Sequence, residues 1–123
     1  MLRLAAEKDQ LSVVDDQTGS PTWTVDLSRA IVALIDKGCR GVYHVANSGF
    51  CTWNGFTRAI FEEAGLDVAV NAMTTRELNR PANRPSNSIL GCEKLEQDAG
   101  VRLQPWRDAL CEYLKLRKNI GRG

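Results

Sequence analysis

Three arginines, Arg76, Arg80 and Arg84, recur at every fourth residue, and the last two stand directly before Pro81 and Pro85. The amides Asn79, Asn83 and Asn87 flank them. A proline disfavours helical geometry in the residue ahead of it, so R-P-A-N-R-P-S-N is expected to be an ordered, extended loop. Planar guanidinium forks beside carboxamides suit a diphosphate, which accepts hydrogen bonds from several fixed directions. The same residues can equally pair with surface carboxylates or remain in water, and residue type alone leaves both readings open.

A second constellation lies around Gly19 and Pro21, where Gln17, Thr18, Ser20 and Thr22 offer neutral donors and acceptors on a constrained turn. A sugar or a base edge requires such groups, and so do ordinary turns. Trp23, Phe50, Trp53 and Trp106 are able to stack on a ligand ring, but their spacings favour core positions. His44 is the one imidazole, and its place in V-Y-H-V points to a structural histidine rather than a general base. Cys39, Cys51, Cys92 and Cys111 form no C-x-x-C pair, so free thiols packed as small hydrophobes are expected, and no metal site. The glycine-rich dinucleotide fingerprint, the P-loop and the nucleophile elbow are all absent from the sequence.

The elements that must position these residues have to fit into 123 residues, which suggests one compact core. A 43% hydrophobic and 25% charged composition is ordinary for a globular domain. Neither a long apolar run nor a signal-peptide pattern is visible, so a cytoplasmic location is expected. Sixteen basic against fifteen acidic residues leave a net charge of +1, which gives no global field for nucleic acid or an anionic membrane. The basic residues Lys115, Arg117, Lys118 and Arg122 read as a solvated end, with 119–123 as a flexible tail.

Residues 1–7 carry a short helical pattern that looks like a helix entered midway. Leu11, Val13 and Val14 then read as a strand that stops at Asp15 and Asp16. Asp26 is placed to cap a helix carrying Leu27, Ala30, Ile31, Leu34 and Ile35 and ending at Gly38. Val42 to Val45 suit a strand. Thr52 should cap a second helix whose face holds Trp53, Phe56, Ala59, Ile60 and Ala64, with Gly65 at its stop. Val68 and Val70 suggest a further strand, and Thr74 with Glu77 a capping box. A short helix from Cys92 to Ala99 and a last one with Pro105 at its first position complete an α/β pattern of short strands covered by about four helices.

Four segments in this order resemble the C-terminal part of the dTDP-4-dehydrorhamnose reductase family, within the extended short-chain dehydrogenase/reductases. They are VVDDQTGSPTWTVDLSRAI from Val13 to Ile31, GVYHVANSG from Gly41 to Gly49, RPANRPSNSIL from Arg80 to Leu90 and LQPWRDAL from Leu103 to Leu110. The resemblance implies the C-terminal lobe of a Rossmann-type reductase, with residues 1–118 as a sugar-nucleotide binding domain. In such enzymes the dinucleotide fold and the Y-x-x-x-K pair lie upstream of the matched region. Tyr43 and Tyr113 do not replace that tyrosine, because Asn47 and Arg117 stand four residues later.

By the same resemblance, the parent enzyme reduces dTDP-4-dehydro-L-rhamnose to dTDP-L-rhamnose with NAD(P)H. The chain alone is expected to bind no cofactor and to retain at most nucleotide-sugar binding. Substrate contacts are expected from Arg80 first, then Arg84, with Gln17, Ser20, Thr22 and Asn87. The implied partners are a dTDP-sugar and either the dinucleotide-binding half or a second copy, with no nucleic acid and no membrane. Two alternatives stand beside this: a non-catalytic reductase-like partner or regulatory subunit, and a related nucleotide-sugar reductase or epimerase.

Overall fold

The computed structural model describes residues 1–120, with side chains described through residue 118. In chain order the elements are α1 (Leu2–Ala5), β1 (Gln10–Val14), β2 (Thr18–Gly19), α2 (Thr24–Asp36), β3 (Cys51–Thr52), α3 (Trp53–Ala64), β4 (Ala69–Met73), α4 (Thr75–Leu78), α5 (Glu93–Ala99) and α6 (Trp106–Ile120). This is the expected α/β pattern of short strands, with α2, α3, α5 and α6 as the longer helices. The described residues form two compact units, residues 1–19 with 51–88, and residues 20–50 with 89–120.

In the first unit, β1 and β4 pair in parallel, with Leu11 opposite Val70 and Val13 opposite Ala72. Parallel strands need a long crossover, and α3 belongs to it. Thr52 caps α3 by accepting the Gly55 amide at 3.0 Å, and Gly65 stops it in the left-handed region at φ 69°. Leu11, Val13, Val14, Ile60, Phe61 and Val70 are buried. The buried face of α3 is the expected one only in part: Ala59 and Ile60 are buried. Asn54 and Thr57 are buried on it, whereas Trp53 is 49% exposed. Asn54 earns its place by hydrogen bonding, its Nδ2 donating to the carbonyls of Val13 at 3.3 Å and Asn71 at 3.0 Å. Arg58 donates to Asn54 Oδ1 at 2.8 Å and to the Val70 carbonyl, so a polar seam ties α3 to both strands.

The short strands β2 and β3 pair antiparallel in the same unit. The arginine loop ends against β2: Thr18 N–H donates to the Ser86 carbonyl at 2.8 Å, and Ser88 N–H to the Thr18 carbonyl at 2.9 Å. The approach is close at Gly19, where a Cβ would stand 2.8 Å from Ser88 Oγ and would oblige that hydroxyl to move.

In the second unit, Ala30 of α2, Leu95 and Ala99 of α5, and Leu103 form a buried cluster, with Leu34, Tyr43 and Val45 packed against it. Ala109, Leu110 and Leu114 of α6 are also buried. Asp26 does not cap α2. The N-cap is Trp23, which has no side-chain cap bond, and Asp26 is buried in the first turn. Its Oδ2 accepts from Asn47 Nδ2 at 2.8 Å and Gln104 Nε2 at 3.0 Å, partners from segments distant in sequence.

Four further expectations are corrected. Val42 to Val45 belong to no strand among the described residues, because no ladder partner stands beside them. His44 is therefore exposed rather than enclosed. None of the four ring residues is core: Phe50 and Trp53 are exposed, and Trp23 and Trp106 are half-buried. The last helix starts at Trp106, one residue beyond Pro105, and it continues to Ile120. Of the expected tail, residues 121–123 lie outside the described residues.

Candidate functional site

The first unit contains a cleft of about 320 Å³ whose lining includes Gln17, Trp53, Thr75, Arg80 and Arg84. Apolar side chains of β1, Leu11 and Val13, form part of its wall. Each polar group arrives by a local device. β1 ends at Val14, and the turn that follows carries Asp15, Asp16 and Gln17. Asp15 Oδ1 accepts from Thr52 Oγ1 at 2.6 Å. Asp16 accepts from the Thr75 amide at 2.9 Å and the Thr75 hydroxyl at 2.6 Å, fixing the start of α4.

Those bonds from Thr75 hold the Asp16 carboxyl below its ordinary pKa. Gln17 is only 7% exposed, and its Nε2 donates to Thr75 Oγ1 at 2.9 Å. The capping box is present as expected, and the Thr74 bonds lower the pKa of Glu77. Asn79 then turns the chain through the left-handed region at φ 46°, and Arg80 and Arg84 follow on the exposed loop.

Trp53 is the residue that its helical spacing had assigned to the core. Half-exposed on the cleft, it stands against Phe56 in an edge geometry at 6.4 Å. A ring face, two guanidinium groups and a buried carboxamide are together suited to a ligand with an aromatic base and phosphates. Asp16 and Thr75 were missed as well. The only signal for them was the Asp-Asp pair after a strand, which ordinary turns also show.

The six expected contact residues do not gather in one place. Gln17, Arg80 and Arg84 share the cleft of the first unit. Asn87 belongs to that unit but is not in the lining, and its main chain bridges Thr18. Ser20 instead lines a separate cleft of about 370 Å³ in the second unit, with Asn47, Phe50, Leu90 and Arg102. Its hydroxyl donates to the Gly49 carbonyl at 3.0 Å. Thr22 lines neither cleft; it donates to the Ser20 carbonyl at 3.1 Å, a turn role.

The four cysteines form no disulfide and are half-buried, and burial pushes the Cys51 thiol up to about 11, away from nucleophilic use. Among the described residues no three His, Cys, Asp or Glu side chains converge as metal ligands. No described helix is long and apolar enough to cross a membrane.

The model of the RmlD substrate binding domain matches residues 1–118. The chain belongs to that family. A spore coat polysaccharide biosynthesis protein, SpsK, from Bacillus subtilis is 46% identical over 119 residues, which is 97% of this chain and 41% of that protein. The crystal structure of a dTDP-4-dehydrorhamnose reductase from Clostridium acetobutylicum superposes with a TM-score of 0.92 at 40% identity, covering 95% of this chain and 42% of that one. A dTDP-4-dehydrorhamnose reductase from Bacillus anthracis, solved in complex with NADP, gives 0.89 at 36% identity, with 92% and 40% covered. The substrate binding domain thus spans about two fifths of the length of its relatives.

Proposed function

We propose that this substrate binding domain holds a dTDP-sugar through the cleft of the first unit and forms part of a dTDP-4-dehydrorhamnose reductase. In that reading the complete enzyme reduces the 4-keto group of dTDP-4-dehydro-L-rhamnose to the alcohol of dTDP-L-rhamnose. The observation that carries the proposal is the convergence of Gln17, Trp53, Arg80 and Arg84 on one cleft in a chain of this family. Arg80 and Arg84 neutralise the diphosphate, Trp53 offers a face to the thymine ring, and Gln17 is held rigid by Thr75.

NAD(P)H supplies the hydride in this reading. The residues of this chain do not fit a dinucleotide: the sequence has no glycine-rich phosphate turn, and neither tyrosine is followed by lysine at the fourth residue. Hydride transfer is therefore not assigned to any side chain here, and the domain's part is binding and orientation. In this reading a dinucleotide fold, corresponding to the part of the relatives that this chain does not span, completes the site.

Calorimetry tests the binding claim directly. The chain should bind dTDP, and Arg80→Ala should weaken binding by about tenfold or more, the loss of one charge-assisted contact. Equal affinity of Arg80→Ala and the parent for dTDP would overturn the assignment of the cleft. Residues 1–123 with NADPH and the keto-sugar nucleotide should show no cofactor oxidation unless the dinucleotide-binding part is supplied.

A further inference from the structure

The cleft of the first unit holds one side chain whose hydrogen-bonding sense is dictated by its neighbours. Gln17 is 7% exposed and lines the cleft, yet only half of its carboxamide is engaged. Nε2 donates to Thr75 Oγ1 at 2.9 Å, whereas Oε1 has no partner among the described residues. No fully enclosed side-chain oxygen or nitrogen among those residues is left unpaired, so this oxygen opens onto the cleft. An amide oxygen held at a cleft wall with its lone pairs unspent is a place for a ligand's donor.

The sense of the amide follows from counting protons. Bonds from Thr75 hold the exposed Asp16 carboxyl below its ordinary pKa, so at neutral pH it is a carboxylate and only accepts. It accepts from the Thr75 amide at 2.9 Å and from the Thr75 hydroxyl at 2.6 Å. The single hydroxyl proton of Thr75 is thereby committed to Asp16. Toward Gln17 the same oxygen has lone pairs alone to offer, so it takes an N–H and rejects a carbonyl. If the carboxamide turned over, Oε1 would stand about where Nε2 now lies, 2.9 Å from Thr75 Oγ1, with no proton between the two oxygens. One orientation is left, with the NH2 group toward Thr75 and the C=O toward the cleft.

We infer that Asp16 and Thr75 are positioning residues that fix Gln17 as a hydrogen-bond acceptor, and that the cleft thereby selects a nucleotide whose base carries an imide N–H, thymine or uracil, over cytosine. This rests on the nucleotide-sugar reading of the cleft. Thymine and uracil carry a proton on N3 at the edge by which bases are read, whereas cytosine has a lone pair there. In that reading Trp53 takes the ring face and Arg80 and Arg84 take the phosphates, so the base edge is the part left for Gln17. Neither a ring face nor a guanidinium tells one pyrimidine from another. A fixed acceptor does, because in the wrong complex lone pair faces lone pair.

Calorimetry of the chain with dTDP, dUDP and dCDP tests this. Both dTDP and dUDP should bind, and dCDP should bind about tenfold or more weakly than either. Gln17→Leu removes the acceptor and should bring dTDP and dCDP to equal affinity, with both still held through Arg80 and Arg84. Thr75→Ala frees the carboxamide to turn, so the preference for dTDP over dCDP should be lost, whereas Thr75→Ser keeps the hydroxyl and should retain it. Partial unfolding of a variant lowers both affinities together and leaves their ratio unchanged, so the ratio reports the orientation of Gln17. Equal binding of dTDP and dCDP by the parent chain overturns the inference and leaves the cleft a nucleotide site. A preference that survives in Thr75→Ala, or in Gln17→Leu, overturns it as well. If none of the three nucleotides binds, the nucleotide-sugar reading falls and the inference with it.

Discussion

Replacing Asn47 by alanine should destabilise the second unit by about 4 kcal/mol. The residue is 2% exposed, and its carboxamide is wholly engaged. Oδ1 accepts the Trp23 amide at 2.8 Å, and Nδ2 donates to Asp26 Oδ2 at 2.8 Å and to the Gln104 carbonyl at 3.0 Å. Two of these are neutral bonds at about 1 kcal/mol each, and the one to the carboxylate contributes about 2. Asp26 would keep Gln104 Nε2 at 3.0 Å and Arg29 at 3.6 Å. Arg29 has a side chain 71% exposed, so the ion pair offsets little.

Urea unfolding followed by circular dichroism should show a lower midpoint at unchanged slope, the mark of lost stability rather than altered compactness. Since domains of this kind are stable by only about 5–15 kcal/mol, the effect is large enough to unfold part of the population. Asn47→Asp keeps the shape but sets a second carboxylate against Asp26, so it should be at least as damaging at neutral pH and milder in acid. A loss below about 1 kcal/mol for Asn47→Ala would refute the reasoning, because it would mean that the network is replaced by water at no cost.

Three other outcomes are expected. Asp16 and Glu77 both have folded pKa values lowered by bonds from Thr75 and Thr74, so their contribution is present above the unfolded values near about 4 and is lost as pH falls through the folded ones. Melting curves of Asp16→Asn should therefore depend less on pH in the acid range than those of the parent; identical pH slopes would contradict this. Cys51, with its thiol pushed up to about 11 by burial, should react with a disulfide reagent at pH 8 far more slowly than in denaturant, as a thiol assay on a variant keeping only this cysteine would record. Gly65→Ala should cost about 1 kcal/mol in a melt, because φ 69° disfavours a Cβ even though open space surrounds the position.

Much of the local structure was legible in the sequence because it rests on contacts a few residues apart. Thr52 and Thr74 cap the helices they precede, Gly65 and Gly100 end theirs, and Leu11 with Val70 marks paired strands. The arginine loop could be read as extended from its prolines, and the family from four segments in order. The composition of Val42–Val45 suggested a strand that does not form, because composition does not say whether a neighbour is present to pair with it.

What only the tertiary structure decided are the partners that lie far away along the chain. Asp26 looks like a cap until Asn47 and Gln104, 21 and 78 residues away, claim its carboxylate. Trp53 has the spacing of a core residue, yet Asn54 takes the buried position because two strand carbonyls await its amide. The six candidate contacts share polarity, which the sequence displays, but Gln17, Arg80 and Arg84 line one cleft while Ser20 lines another. Residue type states what a group is able to bind; where it stands depends on hydrogen bonds and packing across the fold, which no local pattern encodes.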